Sequence, residues 1–390
     1  MGVASVEASH RYSTTAAQLA SLAVLQLVVY ASMQIPVGIL LDRYGPRAML
    51  TIGALVMAAG QAVVSSSLTL ELAVAGRMLV GMGDAFTFIS MIRMSNNWLS
   101  GKQAAIAQQW MATIGQLGQI LSAVPFALLL HTSGWSSAFI TMAIFGGVIG
   151  LLVWLAARDS EVPGEHRSAS ISIVWNTLRR NVKRPSVWMA FWTHFTTQST
   201  GTVFALLWGV PFLVQAEGKT VAYAATMLTV FVLTNASLGP LIGGFTAKHP
   251  DRRLRLVLVV IAIVVFAWVL VILWPGTIPD WIGYLLVVLI GIGGPASMIA
   301  FDFSRSYVVK SELGVTNGFI NIGGFLAALT MMASIGLVLD FAKQFGATSE
   351  LYSAEGFRIA FSTQFLVLAI GVIGLLVSAR KARQSELQIA

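Results

Sequence analysis

The sequence predicts an all-α protein that crosses a membrane several times. Of its 390 residues, 56% are hydrophobic and only 10% are charged, and the mean hydropathy is +0.80. Soluble domains carry about 25% charged residues, so lipid is the expected solvent. Apolar runs of about 20 residues, the length that crosses a bilayer as a helix, recur along nearly the whole chain. Backbone groups in hydrocarbon must pair within their own segment, and the alternating pattern of barrel strands is missing, so helices are predicted.

We assign eleven apolar spans by length and hydropathy. They cover residues 16–41, 48–67, 71–92, 105–130, 136–157, 187–214, 222–246, 255–274, 280–301, 315–339 and 358–379. Of the 24 Lys and Arg residues, 19 fall on one set of loops and ends, Arg93 among them, and four fall on the other set. The positive-inside rule makes the richer side cytoplasmic. We therefore expect a multi-pass protein of the cell inner (plasma) membrane with an external N-terminus and a cytoplasmic C-terminus.

A long polar connection divides the spans into two groups. We predict an N-terminal half at residues 1–157, a cytoplasmic linker at 158–186 and a C-terminal half at 187–390. Residues 170–184 could form an amphipathic helix on the inner membrane surface or a solvated connection, and the sequence leaves both open.

The two halves resemble copies of one unit. The pattern of residues 38–50 returns at 244–256, an offset of 206 residues. The pattern Leu-Val-Gly-Met-Gly at 79–83 returns as Leu-Ile-Gly-Ile-Gly at 289–293, an offset of 210 residues. Parallel halves related by an axis along the membrane normal are a known transporter design.

The connection at residues 38–47 reads Gly-Ile-Leu-Leu-Asp-Arg-Tyr-Gly-Pro-Arg. It resembles the helix 2–3 signature of the major facilitator superfamily, G-x-x-x-D-R-x-G-R-[RK], with Pro46 where the family usually has Arg or Lys. The resemblance covers nearly the whole chain. It implies a secondary transporter with two six-helix halves that alternates between outward-open and inward-open states.

The repeat places the counterpart of span 187–214 before Met1, so we expect that the family's first helix is missing and eleven helices remain. A mis-assigned start or a truncated gene is the expected cause. One added helix would restore the family's arrangement, in which both termini are cytoplasmic. Helix numbers of the family below count the missing helix as the first.

The resemblance implies a conformational gate in the 38–47 connection. In the family, the aspartate that corresponds to Asp42 interacts with the cytoplasmic end of the eleventh helix, which lies near residues 314–316 of this chain. A carboxylate near a helix N-terminus is stabilised by about 0.3–1 kcal/mol, which supports this role. A solvated loop with only a topological function is the alternative. The predicted gate residues of this connection are Gly38, Asp42, Arg43, Gly45 and Arg47.

Arg77 is the only basic residue deep inside a predicted span. A charge there costs at least about 2.5–3.5 kcal/mol on insertion scales, so Arg77 should face the interior and meet a partner or a ligand. Residues 73–83 resemble the family's fourth-helix motif, in which the Arg lies near the substrate and proton path. Asp84 lies two turns further along the same face, too far for a direct pair. A structural buried-charge network is the alternative.

Two further pairs are candidate site residues. His194 and Gln198 share a face of family helix 7, which lines the cavity in this superfamily. Because His titrates near neutral pH, His194 joins Asp84 as a candidate proton carrier, with a hydrogen bond to a neighbour as the alternative. Asp302 and Arg305, at the inner end of family helix 10, are spaced to pair as i, i+3 and fit either a cytoplasmic gate or interface charges.

Amides are frequent in two spans. They can join helices or contact a polar substrate, and joining helices is the commoner use. Two glycines, Gly115 and Gly118, do not complete the glycine-rich fifth-helix signature of many family antiporters, which disfavours antiport. The amides are Gln108, Gln109, Gln116 and Gln119 in the fifth family helix and Asn317 and Asn321 in the eleventh.

We predict a monomeric major-facilitator transporter that moves a small polar or anionic solute by alternating access in proton symport. Drug efflux is one alternative, and a non-transporting membrane sensor or truncated remnant is another. The sequence shows no catalytic constellation, no Walker A pattern, no cysteine and five scattered histidines. An enzyme, a bound cofactor and a metal site are therefore not expected, and basic charge confined to short loops argues against nucleic acid.

Overall fold

The computed structural model describes residues 5–12, 16–159, 171–344 and 352–387. Across these residues the chain is helical and holds no β-strand. Two π-helical turns, Phe204–Trp208 and Phe212–Ala216, flank α7. Short 3-10 turns, Pro250–Arg252 and Lys310–Glu312, precede α9 and α13. The α-helices are α1 Ser5–Tyr12, α2 Ala16–Ser66, α3 Leu70–Trp98, α4 Gly101–Ala156, α5 Ile171–Asn181, α6 Pro185–Val203, α7 Gly209–Pro211, α8 Val221–Lys248, α9 Arg253–Leu273, α10 Asp280–Gly291, α11 Gly293–Ser297, α12 Ile299–Tyr307, α13 Leu313–Gln344 and α14 Ala354–Leu387.

The helical membrane fold predicted from the sequence is confirmed. Nine helical ranges within the described residues are long and apolar enough to cross a membrane. The number of crossings stays a prediction, because α2 and α4 each contain two predicted spans that are separated by a break in the helix. The nine ranges are Val24–Ser66, Leu70–Trp98, Leu128–Ala156, Pro185–Ala216, Ala222–Lys248, Pro250–Leu273, Asp280–Tyr307, Lys310–Ala342 and Ala354–Gln384.

The two longest helices each contain one sharp break. In α2 the break is at Gly45, with φ 79° and ψ 164°, and in α4 it is at Gly134, with φ 76° and ψ 177°. Positive φ costs glycine far less than residues with a side chain. Each break falls between two spans predicted from the sequence.

The chain forms two compact units. Unit 1 comprises Met1–Ser100, Gly118–Asn181 and Val308–Phe319. Within it, α2 and α3 approach closely, since a Cβ on Gly60 would lie 2.7 Å from the Gly76 carbonyl oxygen. Small residues allow this backbone approach in membrane helices.

Unit 2 comprises Gly101–Leu117, Val182–Tyr307 and Ile320–Ala390. Trp268 and Phe361 pack in its core with ring centroids 4.5 Å apart. Both side chains are fully buried. The division into an N-terminal and a C-terminal half stays a prediction. Each compact unit also includes one segment from the predicted half that supplies most of the other unit.

Close packing against α6 should make Gly293 intolerant of a side chain. A Cβ there would lie 2.3 Å from the Thr197 carbonyl oxygen, and a backbone atom cannot move aside as a flexible side chain can. Overpacking of this kind costs about 1–3 kcal/mol. Gly293→Ala is therefore expected to lower the thermal unfolding temperature in detergent.

Gly244→Ala is the matched control, because a Cβ on Gly244 would meet nothing within 4 Å. Alanine favours a helix by about 0.8–1.0 kcal/mol over glycine, so this variant should match or exceed the parent. Equal unfolding temperatures for Gly293→Ala and Gly244→Ala would contradict the packing.

Candidate functional site

The turn that follows Asp42 is shaped by glycine, proline and a distant carboxylate. Gly45 takes the positive φ, and Pro46 then opens the next helix, where no backbone N–H is needed. Asp159 supplies the cap, because its Oδ1 accepts a 2.9 Å hydrogen bond from the Arg47 backbone N–H. Pro46, which departs from the family signature, is therefore compatible with this turn.

Asp42 is buried at the start of α13. Its carboxylate accepts hydrogen bonds from the backbone N–H groups of Gly314 (3.0 Å) and Val315 (2.8 Å). Arg93 Nη1 lies 3.7 Å from Asp42 Oδ1, and both side chains are at most 4% exposed. The helix N-terminus and the guanidinium together compensate the buried negative charge.

Glycines make this contact sterically possible. A Cβ on Gly314 would lie 2.2 Å from Asp42 Oδ1, and a Cβ on Gly38 would lie 2.7 Å from Val315 Cα. A Cβ on Gly318 would lie 2.3 Å from the Gln34 carbonyl oxygen. The backbones of α2 and α13 therefore approach closely only because these positions lack side chains.

The predicted contact of Asp42 with residues 314–316 is present, while the arginines of the connection lie elsewhere. Arg47 stacks over the Trp154 ring, with Cζ 4.2 Å from the ring centroid. Arg43 lies over Tyr44 at 5.2 Å. The gating role of Gly38, Asp42, Arg43, Gly45 and Arg47 stays a prediction.

Arg93 was predicted to lie on the loops and span ends, and this prediction is wrong. It lies inside α3, which continues to Trp98, and its side chain is 1% exposed. A buried basic residue is tolerated here because Asp42 lies beside it. Arg77, which is half-buried, is thus not the only basic residue inside α3. Neither Arg93 nor Asp159 could be paired with this turn from sequence spacing.

Asp302 forms a second buried charged cluster, in unit 2. The predicted i, i+3 pair is confirmed, with Arg305 Nη2 2.5 Å from Asp302 Oδ1. Arg253 Nε lies 4.0 Å from Asp302 Oδ2, and the Thr246 hydroxyl donates to the same oxygen at 3.0 Å. Arg253 was predicted only as a charge between two spans, although the repeat aligns it with Arg47, and its pairing with Asp302 was not foreseen.

Arg77 lies in unit 1 beside α2. Its Nη2 donates a hydrogen bond to Gln26 Oε1, a neutral partner, and its Nε has no hydrogen-bond partner among the described residues. Gly81 allows the approach, since a Cβ there would lie 2.5 Å from the Gln26 carbonyl oxygen. Asp84 is exposed on the same helix. Within the described residues Arg77 therefore has no direct acidic partner.

His194 and Gln198 both reach Ser297 within unit 2. His194 Nδ1 lies 3.3 Å from the Ser297 carbonyl oxygen, and the Ser297 hydroxyl donates to Gln198 Oε1 at 3.2 Å. The His194 side chain is fully buried and packs against the Phe301 ring at 5.1 Å between centroids. The alternative of a hydrogen-bonded His is thus what the geometry shows, and a role as proton carrier stays a prediction.

Of the two alternatives left open for residues 170–184, the structure has a helix, α5, which is anchored to the start of α13. Asn181 Nδ2 donates to Glu312 Oε2 at 2.9 Å and to the Thr316 hydroxyl at 3.1 Å, and Arg180 pairs with Glu312. Its position on a membrane surface stays a prediction. Residues 160–170 of the predicted linker, and the side chains of Gln116 and Gln119, lie outside the described residues.

Apolar helices with a buried cation inside one span and charged contacts at helix ends are typical of membrane transporters. The chain belongs to the Major Facilitator Superfamily, whose family model matches residues 1–332.

Known proteins similar to this chain are transporters. The "Probable galactarate/D-glucarate transporter" of Bacillus subtilis (strain 168) is 20% identical over 370 residues, 87% of this chain and 81% of that protein. The "Oxalate:formate antiporter" of Oxalobacter formigenes is 24% identical over 355 residues, covering 88% of this chain and 81% of that protein. The crystal structure of a bacterial homologue of the human lysosomal transporter Spinster superposes with a TM-score of 0.60. It is 14% identical, covers 98% of this chain and 93% of that one, and so supports the fold alone.

Proposed function

We propose that the chain moves a small organic anion across the inner membrane by alternating access and that protons drive the movement. Family membership supports solute transport. The observation that carries the anionic solute is Arg77, a cation inside a span whose direct hydrogen-bond partner, Gln26, is neutral. We also propose that the protein is a monomer, with its N-terminus outside the cell and its C-terminus in the cytoplasm.

The positive charge of Arg77 needs compensation. A guanidinium within hydrocarbon is costly, and such residues normally pair or line a solute path. A solute carboxylate can pair with a guanidinium through two parallel hydrogen bonds, which is the geometry that arginine favours. The solutes in the names of the two similar transporters, galactarate, D-glucarate, oxalate and formate, all carry carboxylates.

Asp84 is the proposed proton carrier. It lies two helical turns from Arg77 on α3, and its side chain is exposed within a candidate span. Because a carboxylate facing lipid is costly, an exposed Asp84 is best explained by a polar path. We prefer it to His194, which is buried against Ser297 and Phe301.

Asp42 is proposed to stabilise one conformational state. Its hydrogen bonds join α2, from the predicted N-terminal half, to α13, from the predicted C-terminal half. Rocking of one half against the other must break these bonds, so they favour the state in which they form. The Asp302 cluster is proposed to hold the inner ends of α8, α9 and α12 together.

Uptake by proteoliposomes tests the proposal. Radiolabelled galactarate, glucarate and oxalate are offered with and without an inward proton gradient, and an uncharged sugar alcohol serves as control. We expect uptake of at least one carboxylate, stimulated by the gradient. Equal uptake with and without the proton gradient would refute proton coupling. Uptake of the uncharged sugar alcohol and of none of the carboxylates would refute the proposal that the solute is an anion.

Asp84→Asn should separate coupling from transport. The amide cannot exchange a proton, so gradient-driven accumulation should fall to the level without a gradient, while exchange of labelled for unlabelled solute continues. Asp251→Asn is the control, because that side chain is 77% exposed outside the proposed path. Retention of full gradient-driven accumulation by Asp84→Asn would reject it as the carrier.

A further inference from the structure

Each compact unit contains one segment from the opposite predicted half. Unit 1 includes Val308–Phe319, which contains the start of α13, and unit 2 includes Gly101–Leu117, the start of α4. Asp42 binds the first of these segments through the N–H groups of Gly314 and Val315. The second segment must therefore be held by contacts of its own within unit 2.

The sequence repeat relates the two sets of contacts. A Cβ on Gly38 would lie 2.7 Å from Val315 Cα, and a Cβ on Gly243 would lie 2.7 Å from Gln109 Cγ. Val315 follows Gln109 by 206 residues, the offset of the repeat, and Gly243 follows Gly38 by 205. Gly243, the neighbour of the Gly244 that the repeat aligns with Gly38, thus contacts α4 at the position that corresponds to Val315, with the roles of the two predicted halves exchanged.

Gln109 also makes a specific hydrogen bond there. Its side chain is 3% exposed, and its Nε2 donates to the Pro295 carbonyl oxygen at 3.0 Å. Pro295 lies in α11, the five-residue piece between the helix interruptions at Ile292 and Met298. Its carbonyl oxygen has two lone pairs, so it can accept from Gln109 in addition to the Met298 N–H, which lies at 3.3 Å.

We propose that Gln109 is a positioning residue that forms the second inner latch of the transporter, the repeat counterpart of the Asp42 contact. The proposal rests on the alternating access proposed above. In the state that holds Asp42 at Gly314 and Val315, Gln109 holds α4 at Pro295, and both contacts break together when the halves rock. The first latch uses a carboxylate and the second uses a neutral amide.

Gln109→Leu should weaken the second latch without leaving a cavity at this position. Leucine approximates the volume of glutamine but cannot donate to Pro295. A net hydrogen bond of about 0.5–1.5 kcal/mol corresponds to a roughly two- to tenfold shift of the equilibrium towards the state in which both latches are open. Gln103→Leu is the matched control, since this glutamine lies on the same helix and is exposed.

Two pairs of spin labels can report the two latches separately, because the chain has no cysteine of its own. Tyr44→Cys with Lys310→Cys spans the Asp42 latch, and Lys102→Cys with Arg252→Cys spans the Gln109 latch. These four side chains are exposed. Double electron–electron resonance on the full chain in nanodiscs then measures the share of long distances for each pair.

We expect Gln109→Leu to raise the long-distance share of both pairs about two- to tenfold, and Gln103→Leu to change neither. A purely local structural role would alter the Lys102–Arg252 pair alone, and that result would overturn the latch. Asp42→Asn separates the two proposals. If it lengthens both pairs while Gln109→Leu lengthens neither, the Gln109 latch is wrong and the Asp42 gate stands. If neither variant lengthens either pair, both latches are wrong.

Discussion

Arg77→Gln is expected to lower uptake of a carboxylate solute into proteoliposomes by about 10- to 150-fold. The substitution removes the only charged group in the contact with Gln26. A hydrogen bond to a charged group contributes about 1.5–3 kcal/mol, which corresponds to this range. The loss should appear at low solute concentration and shrink as the solute approaches saturation, because binding is what weakens.

Two controls define the role of Arg77. Arg77→Lys keeps the charge but loses the planar fork, so it should retain more uptake than Arg77→Gln and less than the parent. Arg252→Gln removes a basic side chain that is 59% exposed and should leave uptake unchanged. Full uptake by Arg77→Gln, with protein levels matched, would show that Arg77 does not bind the solute.

Asp42→Ala is expected to destabilise the state in which α2 contacts α13 by about 3–5 kcal/mol. It leaves the Arg93 guanidinium buried without Asp42, and it leaves the Gly314 and Val315 N–H groups without their acceptor. Removing one member of a buried ion pair costs about this much, because the other charge remains desolvated. Spin labels at Tyr44→Cys and Lys310→Cys should report a nearly complete change to long distances.

A double-mutant cycle with Arg93 tests the electrostatic cause. Arg93→Leu in the Asp42→Ala background removes the buried charge that has lost Asp42 and should restore part of the short-distance population and of thermal stability. Asp42→Asn keeps an acceptor oxygen for the two N–H groups and should fall between parent and Asp42→Ala. A double variant no better than Asp42→Ala would show that Arg93 is not balanced by Asp42.

The membrane fold could be predicted closely because its cause is local. Lipid excludes unpaired backbone groups, so length and hydropathy alone select helices. The sequence also indicated where α2 breaks, since Gly45 and Pro46 favour a turn followed by a new helix. Arg93 was misplaced because the predicted span ended at residue 92, whereas α3 continues to Trp98 through a charge that Asp42 compensates.

Some contacts of the candidate site could be predicted from the sequence and others could not. The contact of Asp42 with α13 was expected from a family signature, and the Asp302–Arg305 pair from helical spacing. Gln26, Asp159 and Arg253 could not be assigned to their partners, because those partners are 51, 112 and 49 residues away and no periodic pattern connects them. Polar contacts between helices depend on rotation and depth, which hydropathy does not encode.

By itself, the sequence determined that this protein is a helical membrane protein, because composition and span length are properties of the chain alone, and a family signature indicated transport. Only the tertiary structure decided how its buried charges are compensated. Asp42 pairs with Arg93 and a helix start, Arg77 meets a neutral amide, and Gln109 bonds a carbonyl at an interrupted helix. Burying a charge or an amide is favourable only when a partner lies within hydrogen-bonding distance, and helix packing decides which partner that is.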